Sequence, residues 1–163
     1  MKRIKLWYIL VLVSAFLITA CLSDDVWKKN ERKQISDFLK AVPDSLVSLK
    51  SSGLYYIELK AGTGRSPVLH DTADFKYIGR FMDGTAFDSI STVSAPYEYV
   101  MGSFTIVKGV DEGLTYMKPG GKALMLTPSD LAYGSQGING VIPGYTPLVW
   151  EVELIRVKAG SGK

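Results

Sequence analysis

Thr127 to Pro147 reads TPSDLAYGSQGINGVIPGYTP, and the rest of the chain is organised around this stretch. Asp130-Leu131-Ala132-Tyr133-Gly134 makes a tight corner, after which a glycine-broken loop carries Ile138, Val141 and Ile142 into Pro143-Gly144. A segment so rich in Gly and Pro belongs on the surface. Yet it holds several large apolar side chains and two tyrosines, Tyr133 and Tyr145. That combination predicts a loop lining a hydrophobic recess, with the remaining chain supplying its floor and walls.

Outward from this loop the pattern alternates. On the C-terminal side, Pro147 to Val157 places Leu148, Trp150, Val152 and Leu154 on one face and Val149, Glu151 and Glu153 on the other, which is the period of a strand. On the N-terminal side Lys122 to Thr127 alternates too, behind a Pro119-Gly120-Gly121 break. The break closes a helix predicted from Thr105 to about Met117. Its apolar face carries Ile106, Val107, Val110, Leu114 and Met117 and leaves Lys108, Asp111 and Glu112 to solvent.

Further upstream come a short strand from Tyr97 to Met101 and one from Thr72 to Phe81. A hairpin turn at Met82-Asp83-Gly84-Thr85 leads into Ala86-Phe87-Asp88. Tyr55, Ile57 and Leu59 alternate with Tyr56 and Glu58 in a further strand, which ends in Gly62-Thr63-Gly64. That glycine pair opens into Arg65-Ser66-Pro67 with no helix behind it, so it reads as a turn and not a phosphate loop. One short helix among about five antiparallel strands predicts an α+β domain over residues 51–158, in which a curved sheet wraps the helix.

The 163 residues suffice for one domain with a real core plus short extensions. Residues 1–20 place Lys2, Arg3 and Lys5 before an uncharged, largely apolar run from Leu6 to Ala20, the layout of a secretory signal. The run is short for a permanent span, which needs about 20 apolar residues. Removing its three basic residues leaves 16 against 16 acidic ones, so the net charge of +3 belongs to the signal and no basic patch argues for nucleic acid.

Cys21, the single cysteine, follows Leu17-Ile18-Thr19-Ala20, a stretch that resembles the lipobox of bacterial lipoproteins. Two readings stand at this point: acylation of the Cys21 thiol, or a free thiol beside an ordinary cleavage site. Acylation implies a lipid anchor in the bacterial envelope, at the outer membrane in preference to the inner, facing the periplasm or the cell surface. Residues 21–50 then read as a polar, partly helical segment. Val26, Trp27, Ile35, Phe38, Leu39 and Val42 lie at helical spacing before Pro43, and Asp44 is placed to cap a second short helix carrying Leu46, Val47 and Leu49. It is either a tether or a docking arm. Residues 159–163 read as a flexible tail.

The side chains of conventional covalent or metal catalysis are scarce. His70 is the only histidine and sits in a turn; no serine lies in a Gly-x-Ser-x-Gly elbow, and no His/Cys cluster suits a metal. No cofactor is implied.

Taken together, Ser52-Gly53-Leu54-Tyr55-Tyr56, Gly62-Thr63-Gly64, Tyr77-Ile78-Gly79, Phe87-Asp88-Ser89, Gly120-Gly121-Lys122, Asp130-Leu131-Ala132-Tyr133-Gly134, Val141-Ile142-Pro143 and Leu148-Val149-Trp150-Glu151 occur in an order and spacing similar to the FKBP family of peptidyl-prolyl cis-trans isomerases. The resemblance covers Ser52 to Val157. It implies proline-containing polypeptides as clients, macrolides as inhibitors, and a pocket whose catalytic set is Tyr77, Phe87, Asp88, Val107, Tyr133 and Trp150. Tyr97, Ile106, Val110, Ile138 and Ile142 would contact substrate. It also implies that the Val107 N–H and the Tyr133 hydroxyl hold the carbonyls flanking the proline, and that residues 135–146 form a flap. Two positions depart from the pattern. Val110 stands where a tryptophan is usual at the pocket floor, and Trp150 where phenylalanine is usual, which suggests an exchange of volume between the two. The departures keep a second expectation open, a non-catalytic binding module on the same scaffold.

Overall fold

The computed structural model describes residues 24–91 and 95–160. The expected signal segment, Cys21 and residues 161–163 of the expected tail lie outside the described residues.

The long C-terminal alternation is the centre of the sheet. Strand β7 (Leu148–Lys158) is flanked by β6 (Lys122–Thr127) on one side and β3 (Thr72–Arg80) on the other. Around them lie β1 (Val47–Leu49), β2 (Tyr55–Lys60), β4 (Ala86–Ile90) and β5 (Tyr97–Val100). The order is β1-β2-β6-β7-β3-β4, every pairing is antiparallel, and β5 pairs with the first half of β3 while β4 pairs with its second half. The described residues thus hold seven strands, where the sequence pattern predicts about five.

One of the additions corrects the reading of the segment after Pro43. Asp44–Leu46 is a single 3-10 turn, and the chain extends at once into β1, whose Val47, Ser48 and Leu49 pair with Ile57, Tyr56 and Tyr55. Three residues hold no strand on their own propensity; the β2 edge supplies the hydrogen bonds that a second helix would have supplied internally.

Helix α1 (24–39) and helix α2 (Lys108–Tyr116) lie on opposite faces of this sheet. On the concave face, α2 buries Val110 and Leu114 among Phe75, Met125, Trp150, Val152 and Leu154. Its close approach depends on two glycines one turn apart. A Cβ at Gly109 would stand 2.3 Å from Thr127 Cγ2, and one at Gly113 would stand 2.3 Å from Met125 Sδ. At Gly109 the neighbour is the stiff, branched Thr127 side chain, so a side chain there would push the helix off β6; at Gly113 the flexible end of Met125 would have to move aside.

The helix also begins later than the periodicity suggests. Phe104 adopts a left-handed φ of 57°, and Val107 is extended, at φ −64° and ψ 143°. Ile106 and Val107 are therefore presented by a loop leading into α2 and not by its flank.

On the convex face, α1 lays Lys28, Glu31, Ile35, Phe38 and Leu39 along one side at helical spacing. Ile35 is buried against Leu126 of β6 and Val149 of β7, with Phe38, Leu39 and Tyr55 packed around them. The segment expected as a tether or docking arm is thus docked on its own domain over these residues. At the other end of the sheet, Asp71 joins distant parts of the chain. Its carboxylate accepts from the Arg65 guanidinium, from Val68 N–H at 2.9 Å and from Gly160 N–H at 3.0 Å.

Candidate active site

The concave face holds a cavity. Between the start of α2, the β3 and β7 strands and the loop after β6, a cavity of about 140 Å³ is lined by Phe75, Tyr77, Asp88, Tyr97, Thr105, Ile106, Val107, Val110, Tyr133 and Trp150. Each arrives for a local reason. Phe75 and Tyr77 are alternate residues of β3 and share its inner face, with ring centroids 5.9 Å apart. Tyr97, at the start of β5, stands edge-on to both. Trp150 is opposite Gly79 in the β3–β7 ladder, so its indole meets no facing side chain and lies 5.8 Å from the Tyr77 ring.

Below the rings, Trp150 is tied down. Its indole N–H donates to Thr127 Oγ1 at 3.1 Å, and that hydroxyl donates in turn to the Leu148 carbonyl. Val110, from α2, lines the same cavity.

Polar atoms are few and specifically placed. The Tyr77 hydroxyl donates to Asp88 Oδ2 at 2.7 Å. Burial raises the Tyr77 phenol far above its ordinary value, and the Asp88 carboxylate adds to the rise. Tyr133 is raised in the same way, by burial first and by the Asp88 charge second, so both hydroxyls keep their protons at neutral pH. Among the described residues no group is hydrogen-bonded to the Tyr133 hydroxyl, and none accepts from the Val107 N–H.

Tyr133 is held from beneath. The 3-10 turn Ser129–Leu131 precedes it, and the Ser129 carbonyl accepts both Ala132 N–H at 2.9 Å and Gly134 N–H at 2.8 Å, bracketing the tyrosine. The flap then closes on itself, with Tyr145 N–H donating to the Gly134 carbonyl at 2.9 Å.

Three expected residues are placed differently. Phe87 is one layer back, 5.3 Å edge-on to Trp150 and 5.2 Å from Phe81; it fits there because Gly79 has no side chain, and a Cβ would come within 2.6 Å of its ring. Ile138 and Ile142 do not line the cavity. They exchange backbone hydrogen bonds with each other at 2.7 and 2.8 Å, which turns Ile142 into the core at 2% exposure and leaves Ile138 at 38%. Val141 and Tyr145, expected to line the recess, instead face a separate groove beside α1 with Trp27, Phe38 and Phe81. Phe75 and Thr105 line the cavity without having been singled out in the sequence. Phe75 was recoverable from its two-residue spacing to Tyr77, whereas Thr105 carries no such signal. Among the described residues no three His, Cys, Asp or Glu side chains gather as a metal site would require.

Residues 63–155 match the family model described as FKBP-type peptidyl-prolyl cis-trans isomerase. The peptidyl-prolyl cis-trans isomerase Mip of Coxiella burnetii is 42% identical over 112 residues, 69% of this chain and 48% of that protein. The macrophage infectivity potentiator of Trypanosoma cruzi is 37% identical over 136 residues, covering 81% of this chain and 68% of its own length. The chain therefore spans about half the length of the Coxiella relative it matches. Among solved structures, a peptidyl-prolyl cis-trans isomerase from Pseudomonas syringae superposes with a TM-score of 0.73 at 31% identity, over 83% of this chain and 96% of the other. The aromatic cavity, the short helix against a curved antiparallel sheet and these matches agree: the chain belongs to the FKBP-type peptidyl-prolyl cis-trans isomerase family.

Proposed function

We propose that this protein catalyses cis-trans isomerisation of X–Pro bonds in client polypeptides, and that it does so at the cavity between α2 and the sheet. One observation carries the reading. Two donors without a protein acceptor among the described residues, the Tyr133 hydroxyl and the Val107 N–H, belong to residues lining one aromatic cavity.

An X–Pro bond turns slowly because rotation breaks the amide's partial double bond, a barrier of roughly 18–20 kcal/mol. The twisted amide has lost conjugation and much of its charge separation. An apolar cavity therefore disfavours the planar form relative to the twisted one. The proline ring would lie against Trp150, Tyr77 and Tyr97. Tyr133 and Val107 would hold the flanking carbonyls, so that binding on either side of the bond favours the turned geometry. A thousandfold acceleration needs only about 4 kcal/mol of such preference. Asp88, fixed by Tyr77, would set the polar edge of the cavity, and a macrolide would occupy the same space as the proline. Phe87 supports Trp150 from behind.

For localisation, we propose that residues 1–20 are removed, that Cys21 is acylated, and that the domain works on secreted or envelope polypeptides from a lipid anchor. The motif before Cys21 supports this reading.

A protease-free assay on a proline tetrapeptide tests the activity, with acceleration expected and its suppression by a macrolide. No acceleration at stoichiometric protein would overturn the isomerase reading and leave a binding module. Mass spectrometry of the mature N-terminus tests the anchor, and a Cys21→Ala protein that stays on the membrane would overturn lipidation.

A further inference from the structure

Glu31 lies on α1, outside the residues that match the family model, and is only 6% exposed. Burying a carboxylate is costly unless it is paired or well hydrogen-bonded. Among the described residues no lysine or arginine forms an ion pair with it; the nearby Lys28 pairs with Asp130 instead, at 3.3 Å. What satisfies it is a single residue 98 positions away. One carboxylate oxygen accepts the Ser129 N–H, and the other is 3.0 Å from the Ser129 hydroxyl.

An apolar side chain would serve packing on this face better, as Ile35 does one turn later. The carboxylate is accounted for by what Ser129 does. Ser129 offers its carbonyl to the N–H groups on both sides of Tyr133, so its donors point to Glu31 while its acceptor holds the tyrosine's backbone. The same helix reaches the far end of the flap, where Trp27 stacks on Tyr145 with centroids 6.5 Å apart and Asp24 accepts the Tyr145 hydroxyl.

We infer that Glu31 is a positioning residue for Tyr133. Through Ser129 it fixes the turn that aims the Tyr133 hydroxyl at the client, so α1 is part of the catalytic support and not an added arm. This rests on the reading of Tyr133 as the group that holds a client carbonyl.

The test uses the full chain and three variants. Glu31→Ala removes both acceptors, Glu31→Gln keeps one oxygen for the Ser129 N–H, and Ile35→Ala removes apolar burial from the same helix without touching Ser129. Well below the unfolding temperature, Glu31→Ala is expected to lower kcat/KM about fivefold and to speed amide exchange at Ala132 and Gly134. Glu31→Gln should restore kcat/KM to within about twofold of the native chain, and Ile35→Ala should keep it there despite its lower melting point. An unchanged kcat/KM with unchanged exchange in Glu31→Ala would overturn the inference, and so would an equal loss of activity in Ile35→Ala. If the native chain itself gives no acceleration, the isomerase reading falls, and exchange at Ala132 and Gly134 still decides whether Glu31 holds the Tyr133 turn.

Discussion

The Tyr77 hydroxyl donates to the Asp88 carboxylate at 2.7 Å, joining diagonal neighbours on one face of β3 and β4 at the edge of the cavity. The bond ties a tyrosine on the β3 side of the cavity to the carboxylate at its edge. Tyr77→Phe keeps the ring against Phe75 and Trp150 but releases Asp88. A solvent-exposed bond of this kind contributes about 1 kcal/mol at most, so the variant should melt slightly earlier and lose up to about fivefold in kcat/KM. Unaltered kinetics would mean that the orientation of Asp88 is irrelevant to turnover.

Most of the cavity lining was named by the resemblance to the family, and the regular elements that carry it account for why those residues meet. The two-residue period places Tyr77 and Trp150 on inner faces whatever the sheet order, and Asp83-Gly84 sets the hairpin that brings Asp88 back beside β3. What escaped depends on contacts between remote positions. β1 exists through its pairing with β2, and the Glu31–Ser129 link spans 98 residues with no local trace in either segment. Ile138 and Ile142 lie off the cavity lining, and a glycine-rich loop has no period that would show it. Which of its apolar side chains turn inward is decided by the Ile138–Ile142 backbone pairing.

Tyr133 supplies the donor on which the proposed mechanism turns. Tyr133→Phe removes one hydroxyl from a half-buried site without changing its shape, and about 1 kcal/mol or slightly more of preference for the bound, twisted client goes with it. A drop of about tenfold in kcat/KM with little change in melting point is expected. Because burial and Asp88 both raise the phenol above its ordinary value of 10.0, it remains a donor through the neutral range. kcat/KM should therefore be flat from about pH 6 to 9, and a decline beginning below about pH 9 would contradict the assignment.

Val110 and Trp150 share the floor of the cavity, and the larger side chain is anchored by its bond to Thr127. If the indole fills space that Val110 leaves, Val110→Trp has nowhere to put a second indole. It should destabilise the fold by about 1–3 kcal/mol and reduce turnover. Trp150→Phe alone should also destabilise, since it empties volume and frees the Thr127 hydroxyl. The double variant should cost less than the two single changes together, by about 1 kcal/mol or more, as expected for residues competing for one space. Strict additivity in chemical denaturation would refute the exchange of volume.

Asp71 contributes to the pH dependence of stability at the acid end. Arg65 above all, then the Val68 and Gly160 N–H groups, hold its carboxyl well below the usual carboxylate range. A group depressed in the folded state releases its proton more readily there than in the unfolded chain, whose value is near 3.8. Its stabilisation is therefore complete above that value and is lost as pH falls through it toward the folded one. Asp71→Asn removes the charge that Arg65 and the two N–H groups face, so at pH 7 the variant should melt below the native chain. As pH falls from about 5 to 2 the native chain loses what the variant never had, and the two melting temperatures should draw together. A gap that stays constant over that range would assign the role of Asp71 to its shape alone and not to its charge.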